Sequence, residues 1–282
     1  MKPAAFAYHA PSTVKAALAL LAEHGADGKV LAGGQSLVPT MAFRLARPAT
    51  LIDINGLAEL DLCRVESGQL RIGALARHAR FDPAPEPGPV GRLLNRVVHD
   101  IAHTPIRSRG TFCGSLAHAD PASEWCCTAL ALSATLVVAR MGEQREVPAA
   151  DWFQSIFTTA LQPDELLVEA RIPLLGPGWR CGFNEFSRRA GDFALAMCIA
   201  VLRIENGMVA EARLALGGVA STPILAPVAA LIGRAPDEAA FAAVAADAAA
   251  CFEPTVDINA SPEYRRDLVR ATVKRALRDA CA

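Results

Sequence analysis

A short segment rich in proline and glycine, residues 173–178, divides the chain into two parts. It contains Pro173, Gly176, Pro177 and Gly178, and such residues interrupt both helices and strands. A chain of 282 residues is long enough for two domains of ordinary size. We therefore predict a first domain over residues 1–175, with subdomains of about 1–55 and 56–175, and a second domain over residues 179–282.

In the first domain, short apolar runs alternate with helical patterns. Ser12-Thr13 is a typical helix N-cap, and Gly25 is a typical helix end. The pattern predicts a helix over Val14–His24 and a second helix that follows Ser36 and ends at about Leu45. It predicts two further helices over Val90–Ala102 and Pro121–Leu132. It predicts strands over Lys29–Ala32, Thr50–Ile54, Leu60–Val65, Gln69–Ile72, Thr135–Arg140 and Glu165–Ile172, with an irregular polar loop over Thr104–Ser115.

The second domain is predicted to contain an antiparallel sheet followed by helices. Its last two strands are joined by Asn206-Gly207, a pair typical of two-residue hairpin turns. The predicted strands are Phe183–Arg188, Ala194–Glu205 and Val209–Leu216, and the predicted helices are Ala226–Ile232, Asp237–Cys251 and Glu263–Cys281. The fold class is therefore α+β, with a three-stranded antiparallel sheet and a helical bundle in the smaller C-terminal domain.

The overall charge and hydropathy exclude several classes of partner. A formal net charge of −1 and a pI of about 6.6 argue against nucleic acid or an anionic membrane. The apolar stretch Thr128–Ala139 is too short to span a bilayer, and the first residues lack the apolar core of a signal peptide. We expect a soluble cytoplasmic protein.

The cysteine and histidine patterns give little support for a metal on this chain. Of the eight cysteines, no two have the two-residue spacing typical of zinc and cluster ligands, so we expect mostly buried thiols. His99 and His103 would share a helix face and form a zinc site with His118 or Glu124. A zinc hydrolase that uses this site is the less favoured alternative, because Thr104-Pro105 ends the helix there.

Two glycine-containing segments carry the chemical signal. In Val30–Leu37 a strand runs into Gly33-Gly34 and a helix N-terminus, which exposes backbone N–H groups suited to a phosphate or pyrophosphate. The polar loop around Gly110 and Gly114 also permits close approach of a ligand. Two such loops would hold a dinucleotide diphosphate, although a Gly-Gly turn is more often a plain chain reversal. Neither G-x-G-x-x-G nor G-x-x-x-x-G-K-[ST] is present.

Three ordered motifs, VLAGGQSL, IRSRGTFCGSLAHADPASE and RRAGDFAL, give the chain a specific resemblance. Over essentially its whole length it resembles the FAD-binding (medium) subunit of molybdenum hydroxylases, which includes the carbon monoxide dehydrogenase medium subunit and the flavin domain of xanthine dehydrogenase. The resemblance implies a two-subdomain FAD-binding domain of the PCMH/vanillyl-alcohol-oxidase-like type, followed by the smaller α+β domain.

The resemblance also implies which residues would bind FAD. Glu124 would bond the ribose or adenosine side, Ile101 and Leu161 would line the adenine and ring pockets, and Phe183 would lie near the isoalloxazine. Cys113 and Ala102 stand where the family commonly has glycine, which predicts local strain. The diphosphate would be wrapped by Val30, Leu31, Ala32, Gly33, Gly34, Gln35, Ser36, Leu37, Thr111, Phe112, Cys113, Gly114 and Ser115.

By the same resemblance, the chain would pass electrons from [2Fe–2S] clusters of a small subunit via FAD to an external acceptor. The other expected partner is a large subunit that carries the molybdenum cofactor, in a dimer of heterotrimers. No catalytic acid or base is expected here, since the cofactor carries the chemistry. The alternative is a stand-alone FAD- or nucleotide-binding protein, which would have the same loops.

Overall fold

The N-terminal unit is a small parallel sheet with one helix packed on it. The computed structural model describes residues 2–282. Helix α1 begins where the Thr13 hydroxyl accepts a hydrogen bond from the N–H of Ala16, and it ends at Gly25, which confirms the predicted helix. The elements of this N-terminal unit are β1 (Ala7–His9), α1 (Val14–His24), β2 (Gly28–Leu31), α2 (Leu37–Ala42) and β3 (Thr50–Asp53). The three strands lie in the order β1-β3-β2, and both neighbouring pairs are parallel.

The largest sheet has five strands, and every neighbouring pair is antiparallel. Its edge strand β7 is a finding that the sequence pattern did not predict, because only Val147 among its residues is buried. The strands, in spatial order, are β4 (Cys63–Glu66), β5 (Gln69–Gly73), β10 (Leu166–Pro173), β6 (Thr135–Arg140) and β7 (Glu143–Pro148). A separate two-stranded hairpin is formed by β8 (Phe153–Ser155) and β9 (Thr158–Thr159).

Helices α3, α5 and α6 lie between this sheet and the C-terminal sheet, and α4 lies in the connection before α5. The predicted irregular loop over Thr104–Ser115 is wrong, since it contains α4 and the start of α5. The helix predicted over Pro121–Leu132 begins later, at Glu124, and the helix predicted over Val90–Ala102 ends earlier, at Val98. The four helices are α3 (Pro89–Val98), α4 (Thr104–Arg107), α5 (Phe112–His118) and α6 (Glu124–Ala131).

A buried aromatic cluster fixes α5 against α6. The ring centroids of Phe81 and Trp125 lie 4.9 Å apart, those of Phe112 and Trp125 lie 5.0 Å apart, and those of Phe81 and Phe112 lie 5.6 Å apart. All three rings are fully buried. Tilted contacts at these distances add favourable ring–ring interactions to the burial of apolar surface.

The C-terminal part is a four-stranded antiparallel sheet covered by two helices. The predicted three-stranded sheet is therefore corrected to four strands, and the predicted helix over Ala226–Ile232 is absent because the last strand and turns occupy this segment. Asn206 and Gly207 have φ values of 50° and 76°, as their hairpin turn requires. The strands, in spatial order, are β11 (Trp179–Phe186), β12 (Ala196–Glu205), β13 (Met208–Gly217) and β14 (Ile224–Ala226).

Helices α7 (Glu238–Ala250) and α8 (Pro262–Cys281) pack on each other, and α8 also packs on β11 and β12. The Ser261 hydroxyl caps α8 by accepting from the N–H of Tyr264. No helix within residues 2–282, α8 included, is both long and apolar enough to cross a membrane.

A side chain at Gly182 would have no room, because β11 lies directly against α8. A Cβ atom there would stand 2.0 Å from the carbonyl oxygen of Ala276 and 2.5 Å from the backbone nitrogen of Ala280. We expect Gly182→Ala to lower the free energy of unfolding by roughly 1–3 kcal/mol, the usual cost of overpacking. Gly176→Ala is the matched control, since nothing lies within 4 Å of its Cβ position. Equal urea midpoints for the two variants would contradict the packing.

Candidate functional site

The two glycine segments identified in the sequence lie against each other. A Cβ atom on Gly33 would stand 2.6 Å from the carbonyl oxygen of Arg109 and 2.7 Å from the Cα atom of Gly110. A Cβ atom on Gly110 would stand 2.5 Å from Nε2 of His78. Such close backbone approaches require glycine. The fold therefore joins the loop after β2 and the loop before α5 into one surface.

The first loop, residues 33–36, presents consecutive backbone donors without a protein partner. Across residues 2–282, no hydrogen-bond acceptor is found for the N–H groups of Gly33, Gly34, Gln35 and Ser36. Gly34 has a φ of 72°, and the Gln35 side chain holds the turn by donating to the carbonyl of Gly33 at 3.1 Å. Consecutive unpaired N–H groups in a turn favour an anion.

The second loop, residues 109–115, leads directly into α5. The Thr111 hydroxyl accepts a hydrogen bond from the N–H of Gly114 at 3.0 Å and so caps the helix. Cys113 is buried, and its thiol contacts the carbonyl oxygen of Ile72 in β5 at 3.5 Å. The strain predicted at Cys113 is absent, because this residue is helical and has no positive φ. Burial also raises the pKa of this thiol.

Ala102 does carry the strain that the sequence predicted. Its φ is 42°, in the region that favours glycine. The Arg107 guanidinium steadies this backbone by donating to the carbonyls of Ile101 and Ala102, both at 2.9 Å. Gly191 of the RRAGDFAL segment packs here as well, since its Cβ position lies 2.9 Å from the carbonyl oxygen of Ala102. Ile101 is thus held where the first and second parts of the chain meet.

Carboxyl groups lie close together near the start of α6. Glu124 is 8% exposed, and no side chain within residues 2–282 donates a hydrogen bond to its carboxyl group. Burial and the nearby charges of Asp100 and Asp120 raise the pKa of Glu124. Burial and the charge of Glu124 likewise raise the pKa of Glu185, whose Oε2 is buried without a partner. This arrangement favours retention of a proton by the pair, because neighbouring buried carboxylates repel each other.

His78 is a buried residue behind the loops that sequence reasoning missed. Its Nδ1 accepts a hydrogen bond from Nε1 of Trp125 at 2.9 Å, so the neutral ring carries its proton on Nε2, the atom beside Gly110. Burial, with the charges of Arg77 and Arg107, lowers the pKa of His78 to about 4. No motif marks this histidine; its position beside Gly110 emerges only from the fold.

Leu161 and Phe183 are not joined to the two loops by any hydrogen bond in the described chain. Phe183 is 1% exposed, so its ring has no free face on which a ligand would stack. Its backbone N–H donates to the Asp279 carboxylate at 3.0 Å. Leu161 is half-buried after β9, where its N–H donates to the Thr159 hydroxyl at 3.2 Å.

The two histidines of the predicted zinc site do not share a helix face. Helix α3 ends at Val98, so His99 and His103 both follow it. His99 is 3.6 Å from the Asp82 carboxylate, and His103 precedes α4 as its N-cap. Among residues 2–282, no three His, Cys, Asp or Glu side chains are grouped to hold a metal ion.

The residues present fit a dinucleotide cofactor. The free N–H groups of residues 33–36 suit a diphosphate, and the Glu124 carboxyl, which lacks a side-chain donor, suits a ribose hydroxyl.

Fold and site together define a flavoprotein of the FAD-binding type. Residues 4–175 match the family described as the FAD binding domain in molybdopterin dehydrogenase, and residues 182–280 match the CO dehydrogenase flavoprotein C-terminal domain. The chain belongs to the FAD-binding medium subunits of molybdenum hydroxylases and is an oxidoreductase subunit.

Two relatives illustrate this similarity over nearly the whole chain. The chain is 38% identical over 280 residues to the 6-hydroxypseudooxynicotine dehydrogenase complex subunit alpha of Paenarthrobacter nicotinovorans, covering 98% of this chain and 95% of the relative. It is 36% identical over 284 residues to the carbon monoxide dehydrogenase medium chain of Hydrogenophaga pseudoflava, covering 100% and 99%.

Solved structures agree with these sequence matches. A carbon monoxide dehydrogenase from Hydrogenophaga pseudoflava that lacks the Mo-pyranopterin moiety of its molybdenum cofactor superposes with a TM-score of 0.95 at 37% identity, covering 100% of this chain and 99% of that chain. Quinoline 2-oxidoreductase from Pseudomonas putida 86 superposes with a TM-score of 0.94 at 36% identity, covering 99% and 98%.

The lowered pKa of His78 predicts a specific dependence of stability on pH. The ring has a pKa of 6.5 in the unfolded state and of about 4 in the folded state, so the unfolded state binds the proton first. The contribution of His78 to stability is therefore complete above pH 6.5 and is lost as the pH falls toward 4, by roughly 3 kcal/mol in total. His78→Asn keeps an acceptor for Trp125 and cannot titrate, so we expect this loss to disappear in urea titrations across that range.

His99→Asn is the control for this experiment, because the His99 side chain is 56% exposed. The control should lose stability with falling pH as the unsubstituted protein does. A His78→Asn variant with the same pH profile as both would contradict the role assigned to the buried ring.

Proposed function

We propose that this chain is the electron-transfer flavin subunit of a molybdenum hydroxylase complex. It carries electrons from [2Fe–2S] clusters of a small subunit via FAD to an external acceptor. The observation that supports this most strongly is the contact of Gly33 with the Arg109–Gly110 backbone, which unites two loops and leaves a row of N–H groups unpaired. Residues 1–175 form the FAD-binding domain, and residues 179–282 form the C-terminal flavoprotein domain.

In this proposal the protein binds and orients the cofactor, and FAD when bound supplies the exchange between one-electron and two-electron transfer. The unpaired N–H groups of residues 33–36 bind the diphosphate, and the second loop, whose Phe112, Gly114 and Ser115 N–H groups already have protein acceptors, forms the surface beside them. Glu124 accepts from a ribose hydroxyl. Ile101, held by Arg107, supports the adenine side. No side chain is assigned as a catalytic acid or base.

The proposed partners are a large subunit with the molybdenum cofactor and a small iron–sulfur subunit, assembled as a cytoplasmic dimer of heterotrimers. The names of the relatives, a complex subunit alpha and a medium chain, support a multisubunit assembly.

Gly33→Ala tests the location of the FAD site. The added Cβ would collide with Arg109 and Gly110, so the loops must separate. We expect FAD binding to weaken about tenfold or more, measured by flavin fluorescence during titration of the apoprotein. Gly56→Ala is the matched control, since nothing lies within 4 Å of its Cβ position. If Gly33→Ala bound FAD as the unsubstituted protein does, the proposed location would be wrong.

Purification from the organism that encodes the chain tests the complex. We expect a tagged chain to bring with it two further subunits, together with molybdenum, iron and stoichiometric flavin, identified by mass spectrometry and metal analysis. A flavin-loaded chain that purifies alone would instead favour the stand-alone flavoprotein.

A further inference from the structure

Two side chains outside the loops, Asn55 and Arg77, connect them through a series of hydrogen bonds. Nδ2 of Asn55 donates to the carbonyl oxygen of Ala32 at 2.9 Å, and Oδ1 of Asn55 accepts from Nη2 of Arg77 at 2.6 Å. The other arm of the same guanidinium, Nη1, donates to the carbonyl oxygen of Arg109. The series therefore joins the residues that immediately precede Gly33 and Gly110.

This series of hydrogen bonds sets the direction in which the first N–H group of the first loop points. In a trans peptide the C=O and N–H groups point in opposite directions. Because the carbonyl of Ala32 faces Asn55, the N–H of Gly33 points away from Asn55, and it finds no acceptor within residues 2–282. Asn55 thus directs the start of the unpaired N–H row.

The backbone around Arg77 also holds the second loop. Arg77 and Thr111 form an antiparallel β-bridge. The N–H of His78 donates to the carbonyl of Gly110 at 2.9 Å, and the N–H of Phe112 donates to the carbonyl of Ala76 at 3.0 Å. The backbone beside Arg77 is therefore fixed to the loop that its side chain also contacts.

The Asn55 carboxamide is itself held in one orientation. Its backbone N–H and its Nδ2 both donate to Oδ1 of Asp53, at 2.9 and 2.6 Å. The Tyr8 hydroxyl donates to the other oxygen of Asp53 at 2.5 Å. Although burial opposes it, these hydrogen bonds keep the pKa of Asp53 below its ordinary range. An ionised Asp53 requires the amide nitrogen of Asn55 on its own side, which leaves Oδ1 for Arg77.

We propose that Asn55 and Arg77 are positioning residues that act as one clamp and hold the two loops at the separation required by the FAD diphosphate. The inference rests on the proposed function, since it assigns these residues to the same site. Arginine suits the role because its planar fork bonds two acceptors at once, whereas a lysine offers a single nitrogen. Neither residue needs to touch the cofactor.

A double-mutant cycle tests the clamp. The FAD dissociation constant is measured for the full-length apoprotein and for Arg77→Met, Asn55→Ala and the double variant. We expect each single substitution to weaken binding about tenfold to hundredfold, the usual effect of losing a hydrogen bond to a charged group. Because the two residues act in series, the double variant should bind no more weakly than the worse single variant. Fold-changes that multiply in the double variant would overturn the clamp.

Arg77→Lys distinguishes positioning from a direct charge effect on the diphosphate. It keeps the charge without the fork, so we expect it to bind FAD as weakly as Arg77→Met; wild-type affinity in Arg77→Lys would overturn the clamp. Arg80→Met is the control, because Arg80 makes an exposed ion pair with Asp61 at 2.9 Å. Urea midpoints of the apoproteins are measured in parallel. Weakened binding fully matched by lost apoprotein stability would also overturn the proposal.

The outcome separates the clamp from the proposed function. An unsubstituted protein that binds no FAD overturns the proposed function and the clamp with it. Normal FAD binding by the unsubstituted protein, by Arg77→Met and by Asn55→Ala overturns the clamp alone.

Discussion

The close contact between Gly33 and the Arg109–Gly110 backbone is the interaction on which the candidate site depends. Gly33 follows β2 in the small parallel sheet, whereas Gly110 precedes α5, which packs on the five-stranded sheet. Neither loop alone would present the combined surface. Burial of Phe112 and Trp125 fixes α5 and α6 behind the second loop. The proposed anion-binding surface thus forms only where two separately organised parts of the chain come into contact.

The same helices that support the loops also connect the two larger sheets. Helix α5 packs on β5 and β10, whereas α6 packs on β12 and β13. The thiol of Cys126 in α6 contacts the carbonyl oxygen of Ser115 in α5 at 3.4 Å. The N–H of Gly218, after β13, donates to the carbonyl of Pro121 at 2.8 Å. One layer of helices therefore connects the C-terminal sheet to the second loop.

Sequence reasoning succeeded where structure is determined locally. The Thr13 hydroxyl cap and the Asn206-Gly207 turn depend on neighbouring residues, and both features were predicted. Strand β7 was missed because its polar residues become a strand only by pairing with β6. Residues 226–232 are apolar enough for a helix, but pairing of β14 with β13 takes the first of them. The glycine loops were identifiable from composition, whereas Arg77 and His78 depend on contacts between distant segments.

The candidate site has two chemically different ends, and this difference defines how an asymmetric ligand would lie in it. Residues 33–36 offer a row of unpaired backbone N–H donors, which attract an anion. Glu124 and Glu185 offer carboxyl groups whose pKa values are both raised by burial, and the charge of Glu124 raises that of Glu185 further. A carboxyl group accepts hydrogen bonds from hydroxyl groups whether it is protonated or ionised, and a protonated one also donates to a ring nitrogen. In the proposed site a diphosphate joined to a ribose therefore has one favourable direction, with its phosphates at residues 33–36 and its ribose hydroxyl groups at the carboxyl groups.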